Sequence, residues 1–364
     1  MQVAVVGSGL AGFTAYQALR RVLSPEEIVV FGTADDPAAT FRAHAAAIRQ
    51  REMRSESDGH CLPATFPGLA FRASVARRSP GPLLATAADR FHPTVDEFLA
   101  HVDQLRARSG WERSLVSRRI ERVQTVAGGF ELDGEGPFPH VLIATGHPGL
   151  NVPDELRDDP RVVHAYEPHD YASSVTVVGA GLAAATEWLN ALAAGAEVVS
   201  VRRRDAVRQP LNVPREYFSR RGLAGFHALG AAERAARLRT LLAPSYPRGR
   251  AFDAPLAAAV MENRFRVAER VNGTEQVICA TGFRRGFEHD PLLSRLVREQ
   301  GLETVDGWIV LAPDATVSAL TDETRTLSLA GVAAQWAFPA ADTLTGARYV
   351  AHGLLARIRA CRTR

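Results

Sequence analysis

The sequence predicts an α/β protein of two parallel-sheet units, one inserted into the other. Three observations carry this: a short apolar strand, glycine turn and helix open the chain, the same arrangement recurs near residue 175, and paired Ala-Thr-Gly segments bracket the second occurrence. A length of 364 residues gives room for two compact domains, or for one interrupted by another.

The first unit begins with Gln2-Val-Ala-Val-Val6, an apolar run of the kind found in a strand buried on both faces. Gly7-Ser8-Gly9-Leu10-Ala11-Gly12 follows at once, then a helical pattern through Ala15, Leu19 and Val22 and a second strand at Ile28-Val29-Val30-Phe31. In such a turn Gly7 permits the tight bend and Gly9 lets the backbone approach a pyrophosphate. Gly12 lets the helix pack on the strand, so that its free N–H groups face an anion. An acid is expected at the end of the second strand to receive the ribose hydroxyls, but the chain reads Phe31-Gly32-Thr33 there. Ribose recognition then falls to Thr33, Asp35, Asp36 or backbone groups.

The second unit spans residues 175–204. Val175-Thr-Val-Val178 is its strand, Gly179-Ala180-Gly181-Leu182-Ala183-Ala184 its turn, and Glu197-Val-Val-Ser-Val201 its next strand, with Ala184 in place of the third glycine. Arg202-Arg203-Arg204 stand where an acid would discriminate against a 2′-phosphate. Guanidinium groups instead bind that phosphate in bidentate fashion, which predicts NADPH. Two dinucleotide sites in one chain imply electron passage between them, and a flavin is the natural acceptor of a nicotinamide hydride.

On these motifs the chain resembles the two-dinucleotide-binding-domain flavoproteins, which include disulfide reductases, ferredoxin reductases and class B flavin monooxygenases. Its Ala144-Thr145-Gly146 and Ala280-Thr281-Gly282 segments match the family's two crossings between domains. Leu327 to Val332 resembles the late flavin-contacting strand, with residues 343–359 as the helix whose N-terminus faces the flavin. The resemblance covers nearly the whole chain. It implies two Rossmann-like dinucleotide-binding domains: an FAD domain of residues 1–152 and 276–364, and an NADPH domain of 153–275 inserted into it, enlarged by a helical stretch at about 205–270. In the reductase branches the late strand ends Gly-Asp. Here it ends Gly331-Val332, nearer the monooxygenases, and His164, Tyr166 and Tyr171 form a partial match to the linker those enzymes carry.

Between the motifs, the polar stretch 51–71 follows the first unit, where the family wraps FAD. Arg54 is a candidate phosphate partner, and Ser55, Ser57 or His60 would border the flavin ring, unless the stretch is an ordinary surface connection. Thr94, with Glu97 three residues later, predicts a capped scaffold helix over 94–109. The 205–270 insert is a candidate lid or substrate wall. Trp336 and Phe338 either shield the flavin or pack in the core.

Composition narrows the chemistry. All 43 basic residues counted as Lys+Arg are arginine, which removes a Schiff-base lysine and a Walker lysine. The arginines mostly alternate with acids, so a net charge of +3 is no argument for a nucleic-acid partner. No run nears the roughly 18 apolar residues that span a bilayer, and the N-terminus lacks a signal-peptide pattern. A cytoplasmic protein without membrane attachment is expected. Cys61, Cys279 and Cys361 are far apart with no CxxC, which argues against a disulfide scaffold, a zinc site and a dithiol centre. Cys279 reads as core, and Cys61 is the one candidate for a reactive thiol.

The expected activity is that of an FAD-dependent NADPH oxidoreductase. The leading reading is a monooxygenase using O2, through a protected flavin hydroperoxide, to oxidise a small amine, sulfide or ketone. Alternatives are an electron-transfer reductase serving a quinone, disulfide or ferredoxin, and a flavin-binding redox-responsive protein without turnover.

Overall fold

Two five-stranded parallel sheets organise the chain in the computed structural model, which describes residues 3–54, 69–87, 91–203, 207–209, 211–247, 250–271 and 273–362. In chain order the strands begin β1 (Val3–Val6), β2 (Ile28–Gly32), β3 (Leu115–Ser117), β4 (Val123–Val126), β5 (Gly129–Leu132), β6 (Glu135–Phe138) and β7 (His140–Ile143). There follow β8 (Val162–His164), β9 (Ser174–Val178), β10 (Glu197–Val201), β11 (Val207–Arg208), β12 (Ser245–Tyr246), β13 (Phe265–Ala268) and β14 (Gln276–Cys279). Last come β15 (Thr304–Val305), β16 (Trp308–Ile309) and β17 (Thr326–Leu329). The helices are α1 (Leu10–Leu19), α2 (Ala39–Ala47), α3 (Leu69–Ala76), α4 (Gly81–Ala87), α5 (Val95–Ser109) and α6 (Trp111–Ser114). They continue as α7 (Leu182–Ala193), α8 (Arg220–His227), α9 (Ala231–Leu241), α10 (Arg250–Met261), α11 (Pro291–Gln300) and α12 (Leu344–Arg362).

The first sheet has the order β17-β7-β1-β2-β3 and the second β13-β10-β9-β14-β8. In each, the strand before the glycine turn is central, so β1 is buried along its whole length and reads as an unbroken apolar run. Helix α1 is buried from Gly12 to Leu19 because α12 runs along its outer side. Helix α5 begins as expected: Thr94 Oγ1 accepts from the Glu97 amide at 3.1 Å, and the Thr94 amide donates to Glu97 Oε2 at 2.9 Å.

Two expectations about organisation change. Strand β14 pairs between β9 and β8, inside the second sheet, so the return to the first unit comes after Gly282 and not at 276. A strand in that place is needed to cover the other edge of β9. The insert also divides. Helix α10 and β13 complete the second unit, whereas Val213, Tyr217, Leu223, Phe226, Leu238 and Leu241 join the apolar core of the first unit with Leu292, Trp336 and Phe338. Helix α7 and α10 already pack on the second sheet, so the apolar faces of α8 and α9 find their partners across the boundary.

Trp336 and Phe338 are 1% and 2% exposed and belong to that core. The Arg234 guanidinium lies 5.1 Å from the Trp336 ring, and Phe338 stacks on Tyr349 at 4.8 Å. The antiparallel sheet β4-β5-β6 was not foreseen; its four-residue strands are too short to show a period. Among the described residues no helix is long and apolar enough to cross a membrane.

Candidate active site: two glycine turns and a recess between them

The first turn lies at the carboxyl ends of β1 and β7. Gly7 has φ +118°, and a Cβ there would run into the Ala144 carbonyl; at Gly12 it would run into the carbonyl of Gly7. Nothing lies within 4 Å of where a Gly9 Cβ would stand, so open space remains in front of the α1 N-terminus. That space suits a pyrophosphate held by free amides. Gly331 arrives from β17 with φ +65°, its would-be Cβ 3.6 Å from Ala11 Cβ, which brings the late strand to the same turn. At the end of β2 the place of the missing acid is filled. A Cβ on Gly32 would lie 2.7 Å from the Ser8 nitrogen and closer to the Ser8 side chain, whose Oγ accepts from the Ala34 amide at 3.2 Å. Asp36 is engaged by the Ala38 amide at 2.8 Å and by Arg42 Nε at 3.1 Å, while Thr33 and Asp35 are exposed.

The second turn repeats this at β9 and β14. Gly179 has φ +142° and faces the Ala280 carbonyl, and Ala184 is fully buried against the sheet. Gly181 faces Pro244 and Ser245 of the insert, 3.7 Å and 4.0 Å from a would-be Cβ. The arginine run separates into unlike members. Arg202 lies over the buried Trp188 ring at 5.9 Å, whereas Arg203 is largely exposed and pairs with Glu155 at 3.2 Å. Arg204, Ser55, Ser57, His60 and Cys61 lie outside the described residues.

The two crossings run side by side: the Asn151 amide donates to the Gly282 carbonyl at 2.9 Å, and the Arg284 amide to the Gly149 carbonyl at 2.9 Å. Thr281 Oγ1 donates to the Asn151 carbonyl, and Thr145 Oγ1 to Asp290 Oδ2 at 2.5 Å. Thr145 and Thr281 thus tie the crossings in place. His164 braces the same ribbon. Its Nδ1 accepts from the Tyr166 amide at 3.1 Å, so Nε2 carries the proton and donates to the Gly282 carbonyl at 3.1 Å.

Beside the crossings lies a recess that sequence reasoning missed. One pocket is lined by Gly146, Pro148, Arg285, Trp308, Val332 and Gln335. Near it His147, Arg285 and Asp342 are open to solvent, yet burial is the largest influence on the charge of each. Burial, with Arg285 and His44 nearby, pushes His147 down to about 4, so it is neutral near pH 7 and stacks on Phe283 at 4.1 Å. Burial raises the Asp342 carboxyl, against the opposing pull of Arg285 and the Asn212 hydrogen bond at 3.1 Å. No sequence motif marks these residues, because each lies just outside a segment that reads only as a crossing or a helix.

Residues 1–218 match the pyridine nucleotide-disulphide oxidoreductase family. The chain belongs to that family. It is an FAD-dependent NAD(P)H oxidoreductase, as the motif order had implied. No curated protein sequence matches it. Among solved structures this family member is similar to an ornithine N-hydroxylase from Kutzneria sp. 744, at 15% identity over 98% of each chain with a TM-score of 0.73. It is similar also to a cadaverine monooxygenase from Erwinia amylovora, at 14% identity over 100% of this chain and 94% of that one, with a TM-score of 0.75. A bacillithiol disulfide reductase from Bacillus cereus shares 14% identity over 100% and 99% of the chains, with a TM-score of 0.62. At such identities the likeness is one of fold.

Proposed function

We propose that this oxidoreductase is an NADPH-dependent flavin monooxygenase acting on a small aliphatic amine. The observation that carries the reading is a carboxylate beside the recess: Asp342 lies within charge reach of Arg285, which lines the recess together with Gly146 and Val332, the residues the family resemblance assigns to the flavin side. A carboxylate so placed offers a counter-ion to a substrate ammonium and a site to which its proton can pass. The amine must lose that proton before its nitrogen can act as a nucleophile.

The open space at Gly9 and the free amides of α1 fit the FAD pyrophosphate, with Gly7, Ser8 and Gly12 shaping the turn and Thr145, Gly146, Gly331 and Val332 approaching the rest of the flavin nucleotide. Gly179, Gly181 and Ala184 do the same for the nicotinamide nucleotide beside Gly282, with Arg202, at the end of β10, the candidate for a 2′-phosphate. Bound at the first turn, FAD would supply hydride acceptance from NADPH and electron transfer to O2. The chain supplies binding and exclusion of water, and His147, neutral near pH 7, adds no further charge beside Arg285.

Two fold neighbours, an ornithine N-hydroxylase described with FAD, NADP+ and L-ornithine and a cadaverine monooxygenase, support an amine substrate. A dithiol route has little support among the described residues: Cys279 is fully buried and pushed up to about 11 by desolvation, and Cys361 is remote in sequence from both turns. The test is to mix purified FAD-loaded protein with NADPH anaerobically, then admit O2 with cadaverine or L-ornithine and quantify hydroxylamine product. Flavin that NADPH reduces, with turnover of a low-molecular-weight disulfide but no oxygenated amine, would favour the reductase reading instead.

A further inference from the structure

Arg54 was expected as a phosphate partner for FAD, but its guanidinium reaches into the inserted unit. Nη1 donates to the Ser245 carbonyl at 3.2 Å. Nη2 faces the carbonyls of Gln209 and Leu211, each at 3.0 Å, and Ser245 Oγ at 2.9 Å. These acceptors lie on two segments joined by the β11–β12 pairing, in which Val207 is opposite Ser245. The segments are tied together again by Gln209 Nε2, which donates to the Asn212 carbonyl at 3.1 Å and to Ser245 Oγ at 3.2 Å. Asn212 in turn donates to Asp342 at 3.1 Å, so the first unit holds this strap at a second point. Pro244 and Ser245, at its middle, are the residues that face Gly181 at the second turn.

We propose that Arg54 is a positioning residue for the nicotinamide nucleotide and not a ligand of FAD. It acts through the strap, holding Pro244 and Ser245 beside the second glycine turn so that the nucleotide's phosphates are enclosed at the α7 N-terminus. Burial lowers Arg54 only to about 10, so it stays charged at neutral pH, and charged donors make the stronger hydrogen bonds to carbonyls. The geometry makes NADP(H) affinity depend on a residue of the other unit. The inference rests on the assignment of the nicotinamide nucleotide to the second turn.

The test is titration calorimetry of NADP+ into oxidised, FAD-loaded protein, with FAD content measured by absorbance for wild type, Arg54→Lys and Ser245→Ala. Arg54→Lys keeps the charge but loses the fork, and about tenfold weaker NADP+ binding with full FAD content is expected. Ser245→Ala removes the hydroxyl that accepts from both Arg54 and Gln209, for about threefold weaker binding. Loss of FAD from Arg54→Lys with NADP+ affinity retained would overturn the proposal in favour of a flavin phosphate contact. Unchanged affinity in both variants would overturn it in favour of a plain structural brace. If Arg54→Lys does not fold, Ser245→Ala decides alone: weakened NADP+ binding supports the strap, and wild-type affinity overturns it. A wild type that binds no NADP+ at all would instead remove the assignment of the second turn.

Discussion

Replacing Gly32 by glutamate would supply the ribose-binding acid that the end of β2 lacks, and sequence reasoning alone expects tighter FAD binding from it. The structure expects the reverse. A Cβ at position 32 would stand 2.7 Å from the Ser8 backbone nitrogen and closer to the Ser8 side chain, so β2 and the glycine turn must separate by several tenths of an ångström. Overpacking of this kind costs about 1–3 kcal/mol, and a cooperative unit of roughly 200 residues loses about 2–4 °C in Tm per kcal/mol. Gly32→Glu is therefore expected to melt roughly 2–12 °C lower and to retain less FAD, because the displaced turn carries the phosphate amides. Adding Ser8→Gly relieves the side-chain collision but not the backbone contact, and it gives up the Ser8–Ala34 hydrogen bond, worth about 1 kcal/mol. The double variant should recover only part of the loss. Melting curves with intrinsic flavin fluorescence as the second probe check this. A Gly32→Glu protein with wild-type Tm and tighter FAD would refute the steric argument.

The remaining predictions concern charge. Arg203→Glu should leave the NADPH KM within about twofold, because its exposed pair with Glu155 is of the kind worth about 0–1 kcal/mol. Arg202→Glu should raise that KM about tenfold or more by opposing the 2′-phosphate, and equal effects from the two would remove the assignment. Asp342→Asn should leave NADPH-driven flavin reduction intact and raise the amine KM. It should also abolish the acidic limb of the kcat/KM profile, since the carboxylate works only above its raised pKa; an unchanged profile would release Asp342 from the role. Buried Glu187 accepts from His169 Nε2 at 3.1 Å and from the Tyr171 hydroxyl at 2.8 Å. Burial opposes the charge on His169, but the Glu187 hydrogen bond and the Glu167 carbonyl outweigh it and hold the His169 pKa above its ordinary value. A raised histidine stabilises the fold fully below the unfolded pKa near 6.5 and loses that contribution as pH rises through the folded value. The stability gap between wild type and Glu187→Gln should thus be widest below about pH 6.5 and narrow towards alkaline pH; urea unfolding across that range would show it, and a flat gap would contradict it.

Strand, glycine turn and helix were legible at residues 3–19 and 174–193 because the constraint there is local: Gly7, Gly12 and Gly179 each sit where a Cβ would meet backbone close by. The order of those motifs was enough to name the cofactors and the family. Whatever depended on long-range neighbours was not legible. Arg54 looked like a phosphate ligand because sequence shows a charge in a polar loop, and only folding brings carbonyls 155 to 191 residues away within its reach. The sequence marked 205–270 only as a helical insert and not which core would receive α8 and α9, and Trp336 with Phe338 on the first unit settled that. Asp342, Arg285 and His147 carry no motif of their own. His147 and Asp342 both come within charge reach of Arg285, and that gathering is set by tertiary packing and by the desolvation that packing imposes.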